Sequence, residues 1–325
     1  MRLEGTDSST VEQAARLLAA GELVAFPTET VYGLGARADD DTAVARVFAA
    51  KGRPADHPLI VHVCDAAAAA PFVGAPGPMA ERLMARFWPG PLTVIVPRAP
   101  GVATAAAGGH PTIGLRCPSH PVAAALLRAA AALGVPGVAA PSANRFGRVS
   151  PTTASHVEAE FDASLAVLDG GACPVGIEST IVDCSRGRPV LLRPGTLASR
   201  DIEAALGELL QARDDDAPHA PGTLAAHYAP HARVRLKATP MLRDAVALLG
   251  GNAEGVAVYS RTVRPAGRTI THRTMPDNAR AAAFELFAVL RELDALGAKL
   301  IWVEQPPDTP EWDGVRDRLQ RAAAA

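Results

Sequence analysis

The chain of 325 residues is poor in aromatic residues, in cysteine and in lysine. Aromatic side chains make up 4% of it, and its four cysteines include no C-x-x-C pair, so neither a disulfide framework nor a zinc site is indicated. We expect the cysteines to be reduced core residues. No apolar run approaches the roughly 18 to 20 residues of a membrane span, and the N-terminal segment lacks a signal-peptide core. These absences predict a cytoplasmic protein without a membrane partner.

Excess charge is also missing, since the formal net charge is -2 with 20% charged and 48% hydrophobic residues. This balance argues against a protein coated with nucleic acid, although it leaves a local basic patch open. Any anion site must therefore be concentrated in a few side chains. Three of the 32 basic residues are lysines, and one of them, Lys51, begins the segment KGRPADHPL. Two readings stay open for Lys51: an exposed residue that stabilises a helix end, or a small ammonium that fits between phosphates.

Short apolar strands alternate with amphipathic helices along the chain, which predicts an α/β fold. Ser9-x-x-Glu12 has the form of a capping box for a first helix, and Asp41 or Thr42 caps a second helix that ends at Lys51. Further helices are predicted near residues 78–87, 120–133 and 152–160. Strands are predicted at residues 22–26, 59–63, 92–96, 113–116, 137–140, 166–168, 179–184 and 190–193.

Residues 211–232 combine three consecutive aspartates with prolines and a glycine, a composition that neither a helix nor a strand tolerates well. We interpret this segment as a linker. It separates a larger first domain, residues 1–210, from a smaller second domain, residues 233–325, whose alternating strands and helices predict a Rossmann-like α/β fold.

Polar segments in the first domain adjoin predicted strands, and ligands of open α/β sheets collect beside strand ends. We therefore expect one shared pocket, rich in hydrogen-bond donors and poor in carboxylates. Such a set suits a multiply charged anion, because guanidinium groups bind phosphate or carboxylate through paired hydrogen bonds. The cations are Lys51, Arg53, Arg116 and Arg193, and the neutral groups are Thr30, Ser142, Ser150, Ser179, Asn144, His57 and His62.

Other catalytic motifs are incomplete. Gly33-x-Gly35 lacks the third glycine of a dinucleotide fingerprint, and the chain has no Walker A motif. The pair His227 and His231 lacks the glutamate of a zinc protease, and Ser142 lacks the glycines of a nucleophile elbow. We interpret Glu29 and Glu178 as residues that hold loops through hydrogen bonds.

Taken in order, six segments resemble the motifs of the Sua5/YrdC/YciO family in its two-domain, Sua5-type form. Lys51 with Arg53 and Ser142 with Asn144 match the K-x-R and S-x-N tetrad of the family, and HYAP at 227–230 matches its interdomain linker. The resemblance implies a YrdC-like twisted, open mixed sheet with helices, then a linker that acts as a lid. The segments are PTETVYGLG, KGRPADHPLIVH, IGLRCPSHP, APSANRFGRVSP, GIESTI and LLRPG.

The resemblance implies a reaction in which L-threonine, bicarbonate and ATP give L-threonylcarbamoyladenylate and pyrophosphate, the first stage of N6-threonylcarbamoyladenosine synthesis on tRNA. It implies Mg²⁺ carried by ATP, with no metal held by the protein. It also implies delivery to a tRNA threonylcarbamoyl transferase machinery and leaves a weak tRNA contact open. By the family pattern, Lys51 and Arg53 are catalytic. The residues that bind the substrate threonine are Thr30, His62, Arg116, Ala140 and Ser179. The residues that bind ATP are Lys51, Arg53, His57, Thr112, Ser142, Asn144, Ser150, Arg193 and Tyr228.

The chain departs from the family pattern at two places. His57 stands where members often carry asparagine, and PGTLAA at 221–226 stands where they often carry PGMKYK. Two alternatives to the synthase are an RNA-binding module with a concave basic face and a related carbamoyl-adenylate enzyme. Retarded tRNA migration without threonine-dependent pyrophosphate release favours the former, and use of carbamoyl phosphate favours the latter.

Overall fold

The computed structural model describes residues 1–75, 77–249, 253–265 and 270–325. These residues form two compact units. The first unit contains Met1–Phe146 and Ser150–Thr223, and the second contains Gly147–Val149 and Leu224–Ala325. The predicted linker 211–232 is thus divided between them at Thr223.

A mixed sheet forms the centre of the first unit, with ten strands among the described residues in the order β1-β8-β2-β3-β7-β4-β6-β5-β9-β10. Parallel and antiparallel pairs alternate irregularly across it, since β4 runs parallel to β6, whereas β5 runs antiparallel to β6 and parallel to β9. The strands are β1 Arg2–Glu4, β2 Val24–Phe26, β3 Gly33–Arg37, β4 Ile60–His62, β5 Leu92–Pro97, β6 Thr112–Arg116, β7 Val138–Ala139, β8 Ala166–Asp169, β9 Thr180–Asp183 and β10 Val190–Arg193.

Helices of the first unit pack against this sheet in two apolar clusters. One cluster contains Leu18 and Leu126 with Val24 and Phe26, and the other contains Val47 and Leu83 with many strand residues. The helices are α1 Ser8–Ala19, α2 Asp41–Lys51, α3 Pro78–Phe87, α4 Pro121–Ala132, α5 Ala154–Glu158 and α6 Ser199–Leu206, with a 3₁₀ segment at Ala67–Phe72.

Both helix starts differ from the predictions by one or two residues. Asp7, rather than Ser9, caps α1, because its carboxylate accepts a hydrogen bond from Ser9 N at 2.8 Å. Asp40, rather than Asp41 or Thr42, caps α2. In each case an aspartate lay just upstream of the chosen residue, and a carboxylate serves as an N-cap as well as a hydroxyl does. The predicted end of α2 at Lys51 is confirmed.

Several elements were not predicted. Strand β1 is only three residues long. Strand β3 has the sequence GLGAR, and its two glycines lower the strand propensity of the segment. Gly35 is required there because a Cβ would lie 2.8 Å from both the Phe26 ring and a Val138 methyl. The close approach of neighbouring strands explains this glycine.

The second unit contains a parallel sheet with the order β11-β14-β12-β13 in the part of the chain that is described. Leu242, Val246 and Val258 pack between a helix and this sheet. The strands are β11 Arg233–Lys237, β12 Val256–Ser260, β13 Thr271–Thr274 and β14 Leu300–Glu304, and the helices are α7 Thr239–Leu249, α8 Ala279–Ala295 and α9 Asp313–Ala323, with a 3₁₀ turn at Pro310–Trp312.

Glu304, at the end of β14, is fully buried and occupies a cradle of donors. Its carboxylate accepts hydrogen bonds from the backbone N–H groups of Arg261 and Thr262 at 2.7 Å each, and from the hydroxyl of Thr239 at 2.8 Å. Burial alone would raise the pKa of Glu304, but hydrogen bonds from Thr262, Thr239 and Arg261 lower it to about 2. The carboxylate is therefore ionised and fully enclosed.

The linker motif HYAP lies in the second unit, bonded to Gly147–Val149. Ala229 N donates to Gly147 O at 2.9 Å, and Arg148 Nη1 donates to Pro230 O at 3.2 Å. Arg148 also forms an ion pair with Asp294 at 3.7 Å. The second unit is therefore discontinuous in sequence.

No helix in the described ranges is long and apolar enough to cross a membrane.

We predict that the Asp40 cap stabilises the first unit. Its Oδ1 accepts hydrogen bonds from Thr42 N at 2.9 Å and Ala43 N at 3.2 Å. Asp40→Ala should lower the free energy of opening of α2 by about 1 kcal/mol, whereas Asp40→Asn should retain most of it. Native-state hydrogen exchange of the α2 amides measures this difference, and equal protection in the parent and Asp40→Ala would contradict the assignment.

Candidate active site

A row of side chains crosses five adjacent strands of the first sheet, in the order β4-β6-β5-β9-β10. His62 pairs with Arg116, Thr93 with Ile181, and Ile181 with Arg193. Continuing the register of β5 and β6 by one residue brings Thr93 opposite Arg116. Directly paired residues share a face of the sheet, so the row places two arginines and a histidine on one surface.

At one end of the row, Arg116 is held by two partners. Its Nη2 lies 2.7 Å from Glu29 Oε1, and its Nη1 donates to Thr30 Oγ1 at 2.9 Å. Glu29 Oε2 in turn accepts a hydrogen bond from Ser119 N at 3.1 Å. Arg116 is 4% exposed, so a carboxylate and a hydroxyl fix its orientation in a buried environment. The structure therefore brings Thr30 and Arg116 together, and it shows Glu29 in the structural role that was predicted.

His62 is buried beside Arg116 and packs edge-on against the Phe26 ring, with centroids 6.2 Å apart. Burial and the positive charge of Arg116 lower the pKa of His62 to about 3. The imidazole is therefore neutral at physiological pH. Ala140 lies next to the same strand, because its N–H donates to Ile60 O at 3.0 Å.

Ser179, which is predicted to bind threonine, is hydrogen-bonded to Arg193, which is predicted to bind ATP. Arg193 Nε and Nη2 donate to Ser179 O at 3.1 and 3.0 Å, and Nη2 also donates to Ser179 Oγ at 3.2 Å. Arg193 Nη1 donates to Pro221 O at 3.0 Å. Both side chains are at most 3% exposed. A register shift between Leu191 and Arg193 marks a bulge, a feature that commonly re-aims side chains.

Lys51 is buried, with 2% exposure, which contradicts the reading of an exposed residue at a helix end. Its Nζ donates to Ser142 O at 2.6 Å and also to Asn144 O. Two of its three N–H groups thus hold the S-x-N segment. Burial, with the nearby charge of Arg53, lowers the pKa of Lys51 well below its usual value. The ammonium fixes a distant loop in addition to any contact with a ligand.

Arg53 and His57 both lie close to one aromatic ring, that of Phe146. The Arg53 guanidinium is 5.7 Å from the ring centroid, and the His57 ring centroid is 5.5 Å from it. Arg53 Nη2 also donates to Pro58 O at 2.9 Å. Burial and the charge of Arg53 lower the pKa of His57. Because Phe146 N donates to Lys51 O at 2.9 Å, all four predicted residues of the K-x-R and S-x-N segments form one cluster with His57.

Two further ATP candidates lie in the first unit. Ser150 is fully buried and donates to the Glu178 carboxylate, next to Ser179. Thr112 begins β6 and lines a cavity with Thr93, Ile60, Ile181 and Pro221. The cavity therefore lies over the same face as the row.

Tyr228, also predicted to contact ATP, lies within the second unit. It is 1% exposed, its ring stacks on Phe287 with centroids 5.5 Å apart, and the Arg318 guanidinium lies 5.3 Å from its centroid. It has a φ of 60°, which is uncommon outside glycine. Its role towards the nucleotide stays a prediction.

Thr93 and Phe146 were missed from the sequence. Thr93 is the one polar residue in the apolar strand LTVIV, and this interruption is the signal that could have identified it. Phe146 lies inside the APSANRFGRVSP segment, where its aromatic ring is isolated among small and polar residues. Both residues were visible as unusual types in their segments. Their contacts could not be predicted, because the residues that they contact lie far away in the sequence.

Within the described residues, no group of three or more histidine, cysteine, aspartate or glutamate side chains could hold a metal ion. The two carboxylates of the site, Glu29 and Glu178, are engaged by Arg116 and Ser150.

Two family models match the chain. Residues 16–195 match Sua5_yciO_yrdC, which is described as telomere recombination, and residues 197–324 match a model described as threonylcarbamoyl-AMP synthase, C-terminal domain. Proteins named threonylcarbamoyl-AMP synthase from Bacillus subtilis strain 168 and Pyrococcus abyssi strain GE5 / Orsay are each 37% identical to it. These matches cover 98% and 95% of this chain and 94% and 93% of the relatives.

A solved structure, P. abyssi Sua5 complexed with L-threonine, is similar with a TM-score of 0.90 and 34% identity, and the match covers 99% of this chain and 97% of that one. The predicted fold class, a large mixed sheet with helices followed by a smaller parallel α/β sheet, is confirmed. The chain belongs to the Sua5/YrdC/YciO family, in the two-domain form that carries the Sua5-type C-terminal domain.

Proposed function

We propose that this chain is an L-threonylcarbamoyladenylate synthase, which converts L-threonine, bicarbonate and ATP to threonylcarbamoyl-AMP and pyrophosphate. The observation that carries this proposal is the row from Arg116 to Arg193, which places two buried guanidinium groups on one face of the sheet. The similarity to synthases over nearly the whole chain supports the same activity.

We assign the amino-acid end of the site to Arg116. Its guanidinium is already oriented by Glu29 and Thr30, so it can form paired hydrogen bonds with the carboxylate of threonine at little further cost in entropy. The neutral His62 beside it can accept a hydrogen bond from the amino group of the substrate. We include Ser179 and the backbone of Ala140 in this binding region.

The chemistry has two steps. The neutral amine of threonine attacks the carbon of bicarbonate, so a C–N bond forms, and the C–OH bond breaks. The departing hydroxide takes one proton from the nitrogen and leaves as water, which gives the carbamate. A carbamate oxygen then attacks the α-phosphorus of ATP, and the bond to the leaving pyrophosphate breaks. Since an anion attacks an anion, orientation and positive charge supply most of the catalysis.

We assign the nucleotide end to the cations and polar groups of the Lys51 cluster together with Arg193. Arg53, stacked on Phe146, and Lys51, with its third N–H group, can each contact phosphate oxygens. This group also contains His57, Thr112, Ser142, Asn144 and Ser150.

We propose that Mg²⁺ arrives with ATP. The described residues contain no metal cluster of their own, and Mg²⁺ in phosphoryl-transfer sites takes its oxygens largely from substrate phosphates and water. When bound, the ion neutralises charge that develops on the phosphates. We also propose that the adenylate is passed to a tRNA threonylcarbamoyl transferase machinery, because a mixed anhydride hydrolyses in water and needs a prompt acceptor.

A bicarbonate incorporation assay tests the function. With radiolabelled bicarbonate, ATP and Mg²⁺, we expect labelled adenylate and pyrophosphate only when L-threonine is present. Substituting carbamoyl phosphate for bicarbonate and threonine should give no product. Pyrophosphate release that is independent of threonine, or tRNA binding without any release, would reject the proposal.

We predict that Lys51→Met lowers kcat/KM by about 100-fold or more, because a preorganised cation and the anchor of the Ser142–Asn144 segment are lost together. Lys299→Met is the matched control, since Lys299 is an exposed lysine of the second unit and should leave turnover unchanged. Lys51→Arg should not restore turnover, because the planar group does not fit the space between two carbonyl oxygens. Full activity in Lys51→Met would remove this residue from the mechanism.

We predict that His62 contributes a pH-dependent part of stability. Its pKa is lowered from 6.5 in the unfolded chain to about 3 in the folded protein, so the contribution is present above pH 6.5 and is lost as the pH falls towards 3. As the pH is lowered below about 6, the free energy of unfolding should therefore decrease less steeply in His62→Asn than in the parent. The two slopes should differ by up to about 1.4 kcal/mol per pH unit. Urea unfolding midpoints at pH 7 and pH 5 measure this, and identical pH dependence in both proteins would refute it.

A further inference from the structure

Thr93 and Ser179 form a buried hydroxyl pair in the middle of the row. Their Oγ atoms are 2.7 Å apart, and both residues are fully buried. Ser179 Oγ also accepts a hydrogen bond from Arg193 Nη2 at 3.2 Å. Two hydroxyl groups carry two protons, and their mutual hydrogen bond uses one of them. Neither side chain makes another hydrogen bond among the described residues, so the pair can donate one more.

The position of this pair is set by strand register. Arg116 lies opposite Thr93 on one side, and Arg193 pairs with Ile181, the partner of Thr93, on the other. Ser179 is two residues before Ile181 and therefore shares its face. The donor thus lies between two guanidinium groups, where an oxyanion would be stabilised from both sides.

Thr93, one member of the pair, lines the cavity over this face. Thr93 and Thr112 are polar residues of the cavity lining, whereas Ile60, Ile95 and Ile181 give it apolar walls. A hydroxyl donor between apolar walls discriminates strongly for a ligand that offers an oxygen at that point.

We propose that the Thr93–Ser179 pair holds the one-carbon oxyanion of the reaction, first bicarbonate and then the carbamate made from it. This inference rests on the proposed function, and it gives Thr93 a substrate contact. The order of groups along the row supports it. The amino acid is assigned to Arg116 and the nucleotide to Arg193, and the carbon that links them must lie between the two.

A different role for the pair would be purely structural, with Thr93 holding Ser179 for the binding of threonine. The two roles predict different kinetic changes. Loss of a contact with the oxyanion weakens the binding of bicarbonate alone. Loss of the hydrogen bond that holds Ser179 in place weakens the binding of threonine.

Thr93→Val removes the hydroxyl and keeps a β-branched side chain suited to a strand. With threonine and ATP saturating, in buffer freed of carbon dioxide, we expect the KM for bicarbonate to rise about 10- to 100-fold, as for one lost hydrogen bond to a charged group. The Kd of threonine, measured by calorimetry without ATP or bicarbonate, should stay within about twofold of the parent. Thr93→Ser restores a hydroxyl and should return the KM towards that of the parent.

Thr180→Val is the matched control. Thr180 is a fully buried threonine next to Ser179, and successive strand residues point to opposite faces, so it lies off the row. Its KM for bicarbonate should equal that of the parent. Ser179→Ala removes the other hydroxyl and should also raise the KM for bicarbonate, which gives a second test should Thr93→Val fold poorly.

An unchanged KM for bicarbonate in Thr93→Val, with an active parent, would overturn this inference and leave the proposed function intact. A rise in the Kd of threonine without a rise in the KM for bicarbonate would overturn it in favour of the structural role. A parent without bicarbonate-dependent pyrophosphate release would reject the proposed function and this contact with it.

Discussion

Strand register is the constraint on which the site depends. The row from His62 to Arg193 exists because five short strands pair in one alignment, and a slip of one residue would turn each side chain to the opposite face. Apolar residues of the same strands fix that alignment, since Val61, Val94 and Val182 are fully buried in one cluster on the other side of the sheet. The polar surface is therefore specified by the hydrophobic one.

Buried positive charge is the second feature, and it is neutralised in different ways. Arg116 faces a carboxylate, whereas Lys51 and Arg193 face backbone carbonyl oxygens, which carry partial charge only. These carbonyl oxygens hold the Lys51 and Arg193 side chains in place, so both cations are oriented before a ligand binds.

Local sequence patterns predicted most strands and the polar segments of the site. They did not predict contacts between residues that are far apart in the sequence. The strands and the segments KGRPADHPL and APSANRFGRVSP were visible because they depend on neighbouring residues. The burial of Lys51 was missed because it is caused by Ser142 and Asn144, which lie about 90 positions away in sequence. Strand β3 was missed because glycine has a low strand propensity. Its glycine at position 35 is required by the close approach of the Phe26 ring. Thr93 gains its meaning only from register, which a single sequence does not display.

The enclosed Glu304 carboxylate has a consequence for metabolite competition. Ligands of parallel sheets commonly bind at strand ends, and in the second unit that point already holds an anion joined covalently to the chain. A tethered group acts at an effective concentration of the order of millimolar or higher, and it needs no association entropy to stay in place. A free phosphate or carboxylate would therefore have to displace the Glu304 carboxylate before it could bind to these backbone N–H groups.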